Sequence, residues 1–186
     1  MEHEQLYRLK LQLQSFGSLR PEAWLMLQQL LQFSSLKKGE HFNRTPGTLT
    51  WLATGVLKEY DAYARKKPSV INFLVKENAV VTRKLNAANF LVACTNSLLC
   101  SLDFDALVSL HQQFPELKPI YFALCAQYDE GQRFRVLLLE EKAAALRVAK
   151  LIDRYHGQLS FMARKDLSNY LQLNYDYFCR LYARTL

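Results

Sequence analysis

The chain has few cysteines, four in 186 residues, with no CxxC pair and no histidine at zinc spacing, so neither a disulfide frame nor a structural zinc site organises it. Cys94, Cys100, Cys125 and Cys179 read as reduced thiols that fill space in the interior. No apolar run approaches the roughly 18 residues a membrane span needs, so neither a spanning helix nor a membrane partner is expected. The opening residues MEHEQLYRLK mix acids and bases and lack the apolar stretch of a secretory signal, so a cytoplasmic location is expected. What the chain does have is an ordinary globular composition, 50% hydrophobic and 22% charged, with a net charge of +7. That charge is unevenly placed: from Gln132 to Leu186 there are ten Lys or Arg against five Asp or Glu. Such asymmetry points to a polyanionic partner, or to a solvated helical surface.

Three textures follow one another. Up to about Phe33 the pattern is helical: Leu6, Leu9, Leu11 and Leu13 lead to a break at Gly17, and Pro21 stands where proline suits a helix start. From about Ser34 to Ser101 the period becomes strand-like, with LTWLATG, VLKEYDAYA, SVINFLV and LLCSL separated by KKGE, TPGT, ARKKP and the polar stretch KENAVVTRKLNAAN. Gly39, Gly47 and Gly55 recur every eight residues, as expected where strands turn the corners of a small β-roll or barrel. From Asp103 onward the pattern is helical again. Within the long central run Pro119, Gly131 and the polar DEGQ suggest two helices or one bent helix. There Ile120, Leu124 and Tyr128 recur every four residues as an apolar stripe, to be covered by a second copy of the chain or by the roll itself.

The segment RKDLSNYLQLNYDYFCRLYARTL carries the spacing of a helix-turn-helix. Leu167 and Leu171 fall on one face of a first helix, Leu173 anchors the turn, and Phe178 and Leu181 lie on a second. Gln172 stands where the backbone is usually left-handed and glycine is usual, and Ser168 where a small alanine is usual, so a plain helical hairpin stays open. Catalysis has little to stand on. A metal-dependent β-roll enzyme needs a His cluster, and the strand-rich region supplies only His41; no Gly-rich phosphate loop or nucleophile elbow is present.

The order of these pieces resembles the Crp/Fnr family of bacterial transcription regulators. The resemblance rests on LKKGEHF entering the roll, WLATGVLKEY at a strand turn, SLLCSLDFDALVSL leaving it, FPELKP opening a long helix, and RKDLSNYLQLNYDYFCRLYA at the end. It implies an α+β fold: N-terminal helices with a double-stranded β-roll of jelly-roll, cyclic-nucleotide-binding type over 1–113, a dimerisation helix over 114–139, and a helix-turn-helix without an extended wing over 140–186. It implies a homodimer paired through Ile120, Leu124 and Tyr128, and double-stranded DNA as partner. In the second helix Asp176 and Arg180 hold the family's base-reading places, with Tyr175 before them; Arg184, Lys165 and Arg164 would bind phosphates. An Asp176–Arg180 ion pair within the helix is the plainer reading of those two residues.

The effector cassette departs from the family pattern. Its phosphate-binding arginine would fall near Ala87, followed by Ala88 and Asn89, and Glu77 lacks the glycine that precedes the ribose-binding glutamate. A desolvated phosphodiester needs a guanidinium there, so no response to cyclic AMP is expected. Arg83 and Lys84 would serve only in a rearranged loop. An Fnr-like iron–sulfur cluster would need clustered N-terminal cysteines, whereas the first is Cys94; a haem would need an axial ligand, and His41 and His111 have no supporting pattern. The expectation is therefore a regulator without metal or cofactor, with an unidentified small-molecule effector in the roll left open. A degenerate member acting through protein contacts is the alternative.

Overall fold

The computed structural model describes residues 2–61, Tyr63 and residues 66–185. Two amphipathic helices, α1 (Glu2–Phe16) and α2 (Pro21–Leu30), lead into eight strands, β1 (Gln32–Leu36), β2 (His41–Phe42), β3 (Leu49–Thr54), β4 (Val56–Asp61), β5 (Ser69–Val75), β6 (Ala79–Val81), β7 (Phe90–Ala93) and β8 (Ser97–Leu102). They form two four-stranded antiparallel sheets, ordered β1-β8-β3-β6 and β2-β7-β4-β5. This is the expected β-roll. The glycine corners carry the backbone the eight-residue spacing implied: Gly55 sits at φ +100°, where an added Cβ would lie 2.1 Å from Ser97 Oγ.

One strand, β6, falls inside sequence that reads as a separator. Val80 and Val81 of β6 are buried, but three residues are too few to display a period, and β7 follows the polar turn directly. The end of the first helical texture, from Gln32, is β1 paired to β8. The last two alanines of the VLKEYDAYA segment, Ala62 and Ala64, lie outside the described residues.

After the roll come α3 (Phe104–Gln113), capped by Asp103 Oδ1 accepting from Ala106 N at 2.8 Å, and α4 (Leu117–Glu140). Then follow α5 (Ala144–Tyr155), α6 (Arg164–Tyr170) and α7 (Tyr175–Thr185). The central run is thus two helices, broken after Glu140 rather than at Gly131, which α4 carries straight through. Gly131 is there because Asn72 of β5 packs on it: a Cβ would stand 2.7 Å from Asn72 Oδ1.

The stripe expected to pair two chains is spent inside one. Ile120, Leu124 and Tyr128 are buried in the same core as Leu13, Leu27 and Trp51, with Gly17 of the α1–α2 bend resting on Ile120. Periodicity marks which face of a helix is apolar without saying what covers it, and here α1 and the roll do. The outward face of α4 instead bares Phe122, Val136 and Leu137, at 66%, 53% and 53% exposure. A second core joins roll and tail: Val70 and Phe73 of β5 pack with Leu138, Leu151, Tyr155, Tyr170 and Phe178.

Candidate nucleic-acid interface

The α6–α7 pair is built as a helix-turn-helix. Leu167, Leu171 and Phe178 are buried, and Leu173 and Leu181 lie half-buried against them. The chain leaves α6 through Gln172 at φ +53°, the left-handed position expected of it. Gln172 N donates to Asn169 O at 3.0 Å and Leu173 N to Ser168 O at 2.9 Å, a paired closure that satisfies the last carbonyls of the helix. Asn174 then caps α7, its Oδ1 accepting from Asp176 N at 3.0 Å and Tyr177 N at 3.3 Å. Ser168 takes the alanine's place at no cost in unpaired groups, since its hydroxyl donates to Lys165 O at 2.9 Å.

Burial of Phe178 and Tyr182 turns the opposite face of α7 outward, so that Asp176, Arg180 and Arg184 form an exposed row at four-residue spacing, flanked by Tyr175 and Tyr177. Asp176 and Arg180 form no ion pair among the described residues; the Arg180 guanidinium lies 6.0 Å from the Tyr177 ring centre instead. Arg164 is exposed and held over Tyr182 at 5.5 Å, and Lys165 is exposed beside it. The half-buried Cys179 thiol beside Tyr175 raises that phenol's pKa. All six candidate DNA contacts therefore reach solvent, and five aromatic residues from Tyr170 to Tyr182 split between core (Tyr170, Phe178, Tyr182) and surface (Tyr175, Tyr177).

The first helix of the pair is fastened to the roll, a contact that sequence spacing does not reveal because the partners lie about a hundred residues apart. Lys58 of β4 donates to Asp166 Oδ2 at 2.6 Å and Tyr60 to Asp166 Oδ1 at 3.0 Å. Asn169 accepts from Val70 N at 2.6 Å, and Arg135 of α4 donates to Tyr170 O at 3.0 Å and Ser69 Oγ at 3.1 Å. Burial opposes the charge on Lys58, but Asp166 and Tyr60 outweigh it and raise its pKa. Burial likewise pushes the nearby Cys94 thiol up to about 11, which keeps it protonated.

Inside the roll, near the cassette, two residues not singled out by motif form the most buried charge pair described. Arg44 Nη1 donates to Glu59 Oε1 at 2.6 Å, the side chains 1% and 0% exposed. Asn89 adds a bond to the same oxygen at 3.1 Å, and Tyr128 reaches in from α4 at 2.6 Å. Burial and the neighbouring Glu59 charge raise the Tyr128 pKa, so its hydroxyl stays a donor. Of the other cassette residues, Ala87 and Ala88 follow a short 3₁₀ turn and bring no cation. Glu77 stands at φ +71° in the β5–β6 turn, where its carbonyl accepts from Gln12 of α1 at 2.7 Å and its carboxylate lies 3.7 Å from Arg8. Arg83 is committed to Asp129 of α4 through two bonds of 2.8 and 3.0 Å. His41 is stacked on Phe90 and His111 on the edge of Tyr121. Among the described residues no three His, Cys, Asp or Glu side chains converge as a metal site, and no helix is long and apolar enough to cross a membrane.

No protein-family model matches the chain. The fumarate and nitrate reduction regulatory protein of Yersinia pestis is 26% identical over 147 residues, which cover 72% of this chain and 59% of that one. The chain thus matches about three fifths of the length of the curated relatives it resembles. Among solved structures, FixK2 from Bradyrhizobium japonicum superposes with a TM-score of 0.70 at 17% identity, covering 83% of each chain. A putative Crp/Fnr-family transcriptional regulator from Eubacterium rectale superposes with a TM-score of 0.66 at 13% identity, covering 88% of this chain and 82% of that one. These relatives are regulators rather than enzymes. In sequence and in fold the chain is similar to regulators of the Crp/Fnr type, with a cyclic-nucleotide-binding type of β-roll followed by a C-terminal helix-turn-helix.

Proposed function

We propose that this chain is a transcription regulator that binds double-stranded DNA as a homodimer through α6 and α7 and does not respond to cyclic AMP. The observation that carries the reading is the outward row of α7. Arg180 can donate two bonds to guanine O6 and N7, Asp176 can accept from cytosine N4, and Tyr175 offers a hydroxyl beside them. Arg164, Lys165 and Arg184 supply phosphate contacts that position without specifying. The lack of a cyclic-AMP response is supported by the cassette, which has no cation at Ala87 or Ala88, and by Arg44, whose guanidinium is already bound to Glu59. A cyclic phosphate entering there would meet a buried carboxylate.

A second reading is favoured by the exposed Tyr175 and Tyr177, whose rings suit a protein surface as well as a DNA groove: a member of the family that acts through protein contacts. Selection of random duplexes by the purified protein and by an Arg180→Ala variant, at two salt concentrations, separates the two. The expected result is enrichment of two-fold related half-sites about one helical turn apart, with the G·C preference lost in the variant, a change of about 1–3 kcal/mol at that position. Salt-sensitive binding without sequence preference, equal in both proteins, would reject base reading by Arg180. Absence of binding at both salts would favour the protein-contact reading.

A further inference from the structure

Between the edge strand β5 and helices α4 and α5 lies a cleft of about 280 Å³, which shares Tyr128 with the polar network inside the roll. At its base is Asn72, 1% exposed, with neither Nδ2 nor Oδ1 hydrogen-bonded among the described residues. Buried side-chain amides nearly always find partners, so a fully unpaired one lining a cleft is a binding group awaiting an occupant. Gly131 is what lets that amide lie so close to α4, because any larger residue would press a Cβ to 2.7 Å from Asn72 Oδ1. Gln127 also lines the cleft; its Oε1 accepts from Ala79 N at 3.2 Å, leaving its N–H groups unpartnered among the described residues.

The rest of the lining fixes the kind of occupant. Phe73 and Tyr155 meet edge to face at 5.9 Å and give the cleft aromatic walls. At the rim Arg154 is paired with Glu130 at 3.3 Å and stacked over Phe134 at 4.4 Å, so no unbalanced charge calls for an ion. The volume falls just below the usual small-molecule range of about 300–1,000 Å³, which suits a single ring and not a larger cofactor. An unpaired acceptor and donor on one amide are satisfied together by a rim that carries a donor and an acceptor side by side.

We propose that this cleft binds a small, neutral, planar molecule with adjacent N–H and C=O groups, a lactam, pyrimidine or carboxamide, through Asn72. Its occupant touches the roll, the long helix and the first helix of the tail at once. Any effect on DNA binding rests on the regulatory reading above; the binding itself does not, and is tested without DNA.

The test is saturation-transfer NMR and calorimetry on the full chain with 2-pyridone and uracil, and with phenol as a ring of similar size that lacks the paired edge. Both amide probes are expected to bind the wild type, and Asn72→Leu to weaken them by about tenfold or more while leaving phenol unchanged. Because leucine replaces an unpaired buried amide with an apolar group of similar volume, the ligand-free Asn72→Leu protein should melt higher than the wild type, which separates lost binding from lost folding. Gly131→Ala, crowding the same amide, should weaken the probes as well. The proposal is overturned if neither amide probe binds the wild type at about 10 mM, if both bind Asn72→Leu equally well, or if a crystal structure soaked with 2-pyridone holds only water against Asn72.

Discussion

Glu59 carries its carboxylate at zero exposure, with three donors on Oε1 and none on Oε2 among the described residues. Such a group is tolerable only while its counter-charge stays in place. Arg44→Met should therefore destabilise the protein by about 3–5 kcal/mol, because it strands a buried anion beside Tyr128. Adding Glu59→Leu in the same chain should recover most of that loss, since two apolar side chains leave no charge to satisfy. Urea unfolding of the two variants checks this; a single variant within about 1 kcal/mol of the wild type would mean that water reaches Glu59. Nothing in the sequence singles out this pair. Arg44 lies in a loop and Glu59 on a strand fifteen positions later, and only the folding of the roll places them together.

At the scale of elements, legibility followed the length of the repeating pattern. Strands β3 and β5 were readable as β-rich runs of six and seven residues between turn signals, and helices α2 and α3 as ten-residue helical patterns, whereas β6, a buried run of three, was not. The turn of the helix-turn-helix was readable for a different reason: its geometry demands one left-handed residue, and the spacing put Gln172 there. That conformation costs a side-chain-bearing residue about 1–2 kcal/mol, partly balanced by the greater unfolded-state entropy of glycine. Gln172→Gly is accordingly expected to stabilise the protein by about 0.5–1 kcal/mol, a rise of roughly 2–4 °C in Tm per kcal/mol. Gln172 is exposed, so its side chain should take no packing with it. A lower Tm in calorimetry would mean that the glutamine side chain holds the turn through a contact made only in solution.

For the whole molecule the decisive question is how two copies would meet in the proposed dimer. Because Ile120, Leu124 and Tyr128 are used within the chain, a two-fold pairing along α4 has to use its opposite side, where Phe122 and Val136 stand fourteen residues apart, two heptads, on one line of the helix. A two-fold contact sets each such residue near its own counterpart, so a charge introduced there is doubled in the interface. Phe122→Lys together with Val136→Lys should give a folded monomer, with unchanged circular dichroism and half the sedimenting mass. Ile120→Lys should instead unfold the chain, because it buries an unpaired ammonium against Gly17 and the α1 core. The two outcomes separate the surface of α4 that builds the fold from the one proposed to join the copies. A folded double variant with the wild-type mass would move the dimer contact off α4; a wild-type protein that sediments as a monomer at micromolar concentration would remove the dimer altogether. With one helix-turn-helix per particle, the enrichment expected of paired half-sites would then shrink to single ones, so the mass in the centrifuge and the symmetry of the selected DNA must change together.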